Sequence, residues 1–472
     1  MSQTHDPTPS EVIEVPFDRK EYRRILTSSF LGSTVEYYDF LLYGTAAALV
    51  LGPLFFAGQS PAVALLASFA TFTVGYLARP IGSLIFGQLG DRVGRKSTLV
   101  ITMVLMGLSS TLIGLLPTSE QIGPWAAVLL VLLRILQGLA VGGEWGGAAL
   151  MGLESAPKSE RGFAASMANM GGPAGSMLAT LVFAAFSLLP DDQFMSWGWR
   201  VPFLLSAVLV LIALFIRLRI SESPMFVAAQ HRAELKKAES PAKEVFTRHG
   251  KIVVVAALAS LAALSYSTFM GSFGLSMAKA GGLTASAVLL CKAGSAFVHV
   301  FSIAFFARLS DRIGRKKVML AGCVLSLVLA VPVMSMLSSG VTATVLLGFV
   351  VGNAVVQGCL YGPLAAYISE QFPTKSRYTG AGLTFQIGVV LGSFSALVSS
   401  ALWPLSQSVF GDGALEYTFV GFYLMAVTVV STIAIALSPD TRNRELIDLT
   451  DGADRTTTQP VGPSSRAATT TD

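Results

Sequence analysis

Apolar residues in this chain run in long blocks, and polar residues are gathered into the short segments between them. Twelve blocks are long enough to be spanning helices, which need about 20 predominantly apolar residues. They run over Thr27–Phe56, Pro61–Gln88, Ser97–Leu116, Pro124–Leu153, Gly162–Leu189, Arg200–Ile220, Lys251–Ala278, Thr284–Leu309, Val318–Leu337, Val341–Ser369, Tyr378–Trp403 and Leu415–Leu437. Several exceed the minimum, which implies tilt or protruding ends. The backbone finds no water inside a bilayer, so only helices and closed barrels cross it. These blocks are too long for barrel strands. The pattern predicts an all-α membrane protein with twelve transmembrane helices.

Lysine and arginine give an expected orientation. Arg92, Arg95 and Lys96 follow the second block, and Arg312, Arg315, Lys316 and Lys317 follow the eighth. The segment Ser221–Gly250 holds Arg232, Lys236, Lys237, Lys243 and Arg248. The alternate segments 58–60, 117–123 and 403–414 have none. Basic segments stay on the cytoplasmic side, so both termini and the central linker are expected there. The resulting division is a cytoplasmic segment 1–23, a six-helix bundle 24–220, a linker 221–250, a second six-helix bundle 251–440 and a tail 441–472. An amphipathic helix through Phe226–Leu235 and a disordered Thr-rich tail after Leu449 are further expectations.

Composition agrees with the pattern. Of 472 residues, 53% are hydrophobic and 13% charged, against roughly a quarter charged in soluble proteins. Mean hydropathy is +0.64. The net charge of +5 lies in the segments between blocks, so it orients the chain and does not mark a nucleic-acid partner. Cys291, Cys323 and Cys359 fall inside apolar blocks and read as small buried hydrophobes, not as metal ligands or disulfides. The first 20 residues do not read as a cleavable signal peptide, and the chain has no Asn-x-Ser/Thr sequon. A bacterial inner (plasma) membrane is the expected setting, with a monomer in the lipid bilayer and no cofactor.

The two halves repeat. Asp91-Arg92-Val93-Gly94-Arg95-Lys96 recurs 220 residues later as Asp311-Arg312-Ile313-Gly314-Arg315-Lys316. Gln137-Gly138 recurs at the same displacement as Gln357-Gly358, and Glu154, Pro157 and Arg161 match Glu370, Pro373 and Arg377 at 216. Duplicated halves place a solute path between them near the midplane. The repeated D-R-x-G-R-K loop resembles the signature of the major facilitator superfamily. Within it, Glu36-Tyr37-Tyr38-Asp39-Phe40, Arg79-Pro80, Arg134 with Gln137-Gly138, Gly142-Gly143-Glu144-Trp145-Gly146, Trp197 to Pro202 and Glu222-Ser223-Pro224 resemble the metabolite:proton symporter family. The resemblance covers nearly the whole chain. Residues 40–50 and 142–150 look most like shikimate-type carriers, with dicarboxylate and proline/betaine carriers more distant. It implies two pseudo-symmetric six-helix bundles, alternating access, and roles for the buried arginines in handling substrate and protons.

An ionised side chain at mid-bilayer costs about 2.5–3.5 kcal/mol by insertion scales, so each needs a partner or a function. Glu36 and Asp39 lie three residues apart on one face. They are the proton-coupling candidates, with Glu144 beside them, or else they form fixed ion pairs. Arg134 is the candidate anchor for a substrate carboxylate or a partner of Asp39. Arg79 either pairs with Glu144 or meets substrate. Lys292, Ser295 and His299 share a face of the eighth block, and Asn353, Gln357 and Tyr361 one of the tenth. Such stripes line a cavity or glue helices together. Tyr38, Asn169, Lys292, His299 and Gln357 join Arg79 and Arg134 as substrate-binding candidates. Ionisable groups from blocks 1, 2, 4 and 8 are expected to meet in one chamber.

The repeated loops are expected to gate. Asp91 suits the positive end of a neighbouring helix, by resemblance the eleventh. Arg92 or Arg95 is expected to pair with Glu154, and Arg312 or Arg315 with Glu370. The second copy has Ala307 and Ser310 where the first has Gly87 and Gly90, so close packing at Asp311 is less well supported. Gly171-Gly172-Pro173-Ala174-Gly175 partly resembles a motif of drug:proton antiporters, or simply permits close packing and a kink. The leading expectation is a proton-coupled importer of a small organic acid. A zwitterionic osmolyte such as proline or betaine is the alternative cargo. A non-transporting sensor fits less well, because neither the linker nor the tail can house a signalling domain. No nucleophile–base set or metal-ligand cluster suggests an enzyme.

Overall fold

The structure, a computed structural model, describes residues 18–59, 61–219, 221–222, 241–411 and 416–441. Twelve long helices follow one another. The first half holds α1 (Arg19–Ala46), α2 (Pro61–Arg92), α3 (Arg95–Leu115), α4 (Trp125–Ser155), α5 (Arg161–Phe186) and α6 (Arg200–Leu218). The second holds α7 (Gly250–Ala280), α8 (Ala285–Ile313), α9 (Arg315–Leu337), α10 (Thr342–Ser369), α11 (Arg377–Phe410) and α12 (Thr418–Leu437). Nine of these are long and apolar enough to cross a membrane, among the described residues. The other three are α1, α2 and α5; α1 carries the buried carboxylates and α5 is rich in glycine. Val208, Leu211, Phe215, Phe301, Val328 and Leu437 belong to the broad exposed apolar surface that a bilayer would cover.

The helix ends follow local chemistry. Asp18 caps α1 by accepting from the Lys20 and Glu21 amides at 2.8 and 3.3 Å. The helix therefore begins in the charged turn 19–24, ahead of the apolar block. The repeated loop turns at Gly94 (φ 123°) and Gly314 (φ 104°), a conformation that side chains with a Cβ avoid. A further helix, Pro241–Arg248, lies in the linker with Val245 buried. The expected helix 226–235 and the tail after Leu449 lie outside the described residues.

Small residues let helices touch backbone to backbone. On α5, a Cβ at Gly175 would stand 2.5 Å from the Thr34 carbonyl of α1, and one at Gly171 would strike Ser33. The Gly171–Gly175 run is therefore a packing surface between α5 and α1. The halves meet chiefly where α2 crosses α11 and α5 crosses α8.

Candidate functional site

A cavity of about 240 Å³ lies between the halves. Tyr37, Phe40, Phe72 and Tyr76 give it one aromatic wall, and Tyr361 and Phe385 another. Its cations come from opposite halves, Arg79 of α2 and Lys292 of α8. Among the described residues, no carboxylate lines it. The Lys292 ammonium donates to the Gly271 carbonyl at 3.2 Å, within a π-helical turn of α7 over Phe269–Phe273. A second such turn in α10, Val351–Gln357, brings Asn353 and Gln357 to the cavity. Such turns recur at functional sites because they re-aim side chains. His299 also lines the space, and its buried Nε2 has no partner. Ser295, on the same stripe, is held by Asn353 at 2.9 Å.

Asp39 and Arg134 do not enter this chamber. Arg134 is fully buried behind the aromatic wall, its guanidinium 4.1 Å from the Phe40 centroid and 4.3 Å from that of Tyr43. Arg79 lies against the same Phe40 ring at 3.8 Å. One ring thus touches a cavity-lining guanidinium and one that the cavity does not reach. Arg134 donates to Gln137 at 2.5 Å, and Gln137 to Ser110 at 2.7 Å. Asp39 accepts from Ser206, with Ser110 beside it. The link between Arg134 and Asp39 therefore runs through an amide and a hydroxyl, and the single shared chamber expected from the sequence is divided by an aromatic layer. Spacing along α1 placed Glu36 and Asp39 on one face but could not show which neighbour that face meets.

Other placements differ as well. Glu144 pairs with Arg217 of α6 at 2.6 Å, not with Arg79, which leaves Arg79 to the cavity. Arg217 was not singled out from sequence, because it sits near the end of an apolar block and reads there as an anchoring charge. Glu36 is buried with one oxygen unpartnered, in the field of Glu144, Arg79 and Arg217. Tyr38 turns into its own bundle and donates to the Pro202 carbonyl at 2.9 Å; its neighbour Tyr37 is the one that reaches the cavity. Asn169 is no cavity residue. It accepts from Trp145 at 2.9 Å and donates to the Tyr361 carbonyl at 2.7 Å, tying α5 to α10. Trp145 in turn stacks on Phe385 of α11 at 3.7 Å.

At the end bearing the repeated loops, the halves are clasped twice. Asp91 accepts from the amides of Tyr378 (3.2 Å) and Thr379 (2.9 Å) and from the Thr379 hydroxyl (2.8 Å). These are the first-turn donors of α11, where a carboxylate meets unpaired N–H groups and the positive end of the helix. Asp311 repeats the contact on α5, accepting from Gly162 (2.7 Å) and Phe163 (2.9 Å). Arg95 approaches Glu154 at 3.5 Å and Arg315 approaches Glu370 at 3.0 Å. Each of those pairs lies within one half, so neither holds the halves together. Bonds that do cross, besides those of Asp91 and Asp311, include Arg377 to Glu154 at 3.1 Å and Arg95 to the Thr374 carbonyl at 3.0 Å. Arg92 and Arg312 are exposed, whereas Arg95 and Arg315, three positions on, are buried. Close packing does hold at Asp311, by an exchange of roles. At the first clasp, Gly87 admits Thr379, a Cβ there lying 2.8 Å from the Thr379 Cα. At the second, the glycine is Gly162 on α5, where a Cβ would lie 2.8 Å from Asp311.

Two clasped six-helix halves around a charged cavity have the architecture of a membrane transporter. Residues 29–396 match the Major Facilitator Superfamily, and the chain belongs to that family. The shikimate transporter of Escherichia coli K12 is 39% identical over 89% of this chain and 95% of its own length. The inner membrane metabolite transport protein YhjE of the same organism is 37% identical over 90% and 95%, and its proline/betaine transporter 32% identical over 92% and 87%. Among solved structures, the proton:xylose symporter XylE bound to 6-bromo-6-deoxy-D-glucose superposes with a TM-score of 0.74 at 17% identity, covering 91% of this chain and 98% of that one.

Proposed function

We propose that the protein is a proton-coupled symporter that imports a small organic acid across a bacterial inner membrane. The observation that carries the reading is the charge of the cavity: Arg79 and Lys292 face it from opposite halves and no described carboxylate lines it. Two cations across a gap suit an anion that both halves can grip, and guanidinium binds carboxylate through paired hydrogen bonds. The volume is below the roughly 300–1,000 Å³ of drug-sized sites, which favours a small solute. Tyr37 and Phe385 offer faces to a ring or a hydroxylated carbon skeleton. The relatedness to a shikimate transporter supports a cyclic hydroxy acid as the first candidate.

Relatedness to a proline/betaine transporter supports the second reading, a zwitterion. A quaternary ammonium needs free aromatic faces. Here Arg79 already lies against Phe40 at 3.8 Å and Tyr76 at 4.9 Å, which weighs against that cargo.

Asp39 is the favoured proton carrier. Its bond is to a serine hydroxyl, and among the described residues no cation pairs with it, so it can be satisfied with or without a proton. Glu36 is the second candidate. The positive-inside pattern supports a cytoplasmic side for the two clasps and both termini; on that reading the clasped state is closed to the cytoplasm. Protonation and solute binding would release Asp91 and Asp311 from α11 and α5 and open the opposite path.

Proteoliposomes with an imposed pH gradient test the proposal. Shikimate or a related hydroxy acid should accumulate, betaine should not, and Arg79→Gln should weaken acid binding by tenfold or more, as for a charge-assisted pair worth about 1.5–3 kcal/mol. Accumulation of betaine in place of acids would reject the cargo assignment. Unchanged affinity in Arg79→Gln would remove Arg79 from the site.

A further inference from the structure

A second concavity, about 800 Å³, lies away from the transport cavity, between the start of α1 and the end of α6. One wall is Arg19, Lys20, Arg23, Arg24 and Thr27. These positions stand at i, i+1, i+4, i+5 and i+8, which is one face of a helix. The other wall is Phe215, Ile216 and Arg219. Five cations therefore surround one cleft.

The nearby carboxylate does not fill it. Glu21 accepts from the amide and hydroxyl of Ser221 at 2.6 and 2.7 Å and meets Arg24 at 3.6 Å. That contact also fixes the distance between the walls, since Ser221 follows Arg219 by two residues. The floor is apolar in a directed way. The Arg219 guanidinium lies 4.1 Å above the Phe215 ring, Phe215 is 57% exposed, and Ile212, Leu211 and Val208 continue the exposed apolar track along α6. Cations at the mouth and hydrocarbon leading away along the helix form a surface for one molecule with both properties.

We infer that this cleft binds the headgroup of an anionic phospholipid, with an acyl chain lying along Phe215 and Ile212. Basic pockets between helices at the cytoplasmic surface have the charge and depth to hold such headgroups. A free phosphate would use the five cations but leave the apolar track idle, so the track selects lipid. The site itself does not depend on the cargo reading; only its assignment to the inner leaflet rests on the orientation proposed above.

Native mass spectrometry of the full chain, titrated with phosphatidylglycerol, phosphatidylcholine or inorganic phosphate, tests this. Phosphatidylglycerol should remain bound under conditions that strip phosphatidylcholine, and inorganic phosphate should not displace it. Each cation removed should weaken retention about fivefold, so Arg23→Gln with Arg219→Gln should lose about 25-fold. Arg92→Gln with Arg312→Gln removes the same charge from exposed helix ends outside the cleft and should leave retention unchanged. Equal retention of the two lipids, equal weakening in the control pair, or full displacement by inorganic phosphate would each overturn the assignment. The comparison of lipids on the unaltered chain decides the matter even where the double variant does not fold.

Discussion

Replacing Asp91 by Asn should loosen the first clasp while leaving the fold intact. The carboxylate now takes three bonds from the start of α11, at 2.8, 2.9 and 3.2 Å, and Arg95 stands 3.4 Å away. An amide keeps one acceptor oxygen. Its NH2 must then face an amide or a guanidinium that also donates, so at least one charge-assisted bond is lost. Such a bond contributes about 1.5–3 kcal/mol, and the attraction to the helix end adds about 0.3–1 kcal/mol. A net cost of about 2–3 kcal/mol shifts the clasped-to-released ratio by roughly 30- to 150-fold. Ser376 offers a way to read that ratio. It is fully buried at the start of α11 and its hydroxyl has no partner, so Ser376→Cys is a mild change. The three native cysteines are buried and give a low background. In Ser376→Cys the thiol should react slowly with a membrane-permeant maleimide, and adding Asp91→Asn should raise the rate by the same factor of tens. Solute binding should stay measurable while transport falls. A rate that changes less than about threefold, on this scale below 1 kcal/mol, would show that the halves are held by other contacts.

Asp39→Asn should abolish accumulation driven by a pH gradient while solute exchange at equal concentrations continues; intact accumulation would move the proton to Glu36. Arg217→Met should destabilise the protein by about 3–5 kcal/mol, because Glu144 is left buried and unpaired, and adding Glu144→Gln should restore most of the loss in thermal unfolding. If the double variant melted as low as the single one, burial of the ion pair would not be the cause. The linker helix should respond to acid. His249, and after burial Lys375, hold the Glu244 carboxyl below its usual range. A lowered value means the contact stabilises above about pH 4.3 and fades as pH falls through the folded value beneath it. Glu244→Gln should therefore lower hydrogen-exchange protection of residues 241–248 at pH 7, by a margin that shrinks as pH falls below about 4.3.

The twelve helices and the repeat were readable because both are one-dimensional signals, a length of apolar chain and a recurring string. The contact of Asp91 with α11 was readable from the repeated string and the family resemblance it carries, with the suitability of an acid for a helix start beside it. Side-chain direction was not. Tyr37 and Tyr38 are neighbours of identical type, and only the packing of α1 against α5 and α6 sends one to the cavity and the other to Pro202. The partner of Glu144 was hidden for a different reason, since nothing in the spacing of α4 and α6 tells which arginine faces it. Asn169, a substrate-binding candidate by sequence, is committed to Trp145 and Tyr361, two bonds that only the packing of helices reveals.

The exchange of glycines between the two clasps says something about how a duplicated protein ages. What has been kept in both copies is a meeting of an acid with the exposed amides of a helix start, while the residue that makes room has migrated to the opposite partner. A side chain at Gly87 on α2 would crowd the Thr379 backbone, whereas its counterpart on α8 is Ala307, with Gly162 opposite it. A saturation scan should accordingly show tolerance for small side chains at 307 and 310 and find the intolerant position across the seam, on α5.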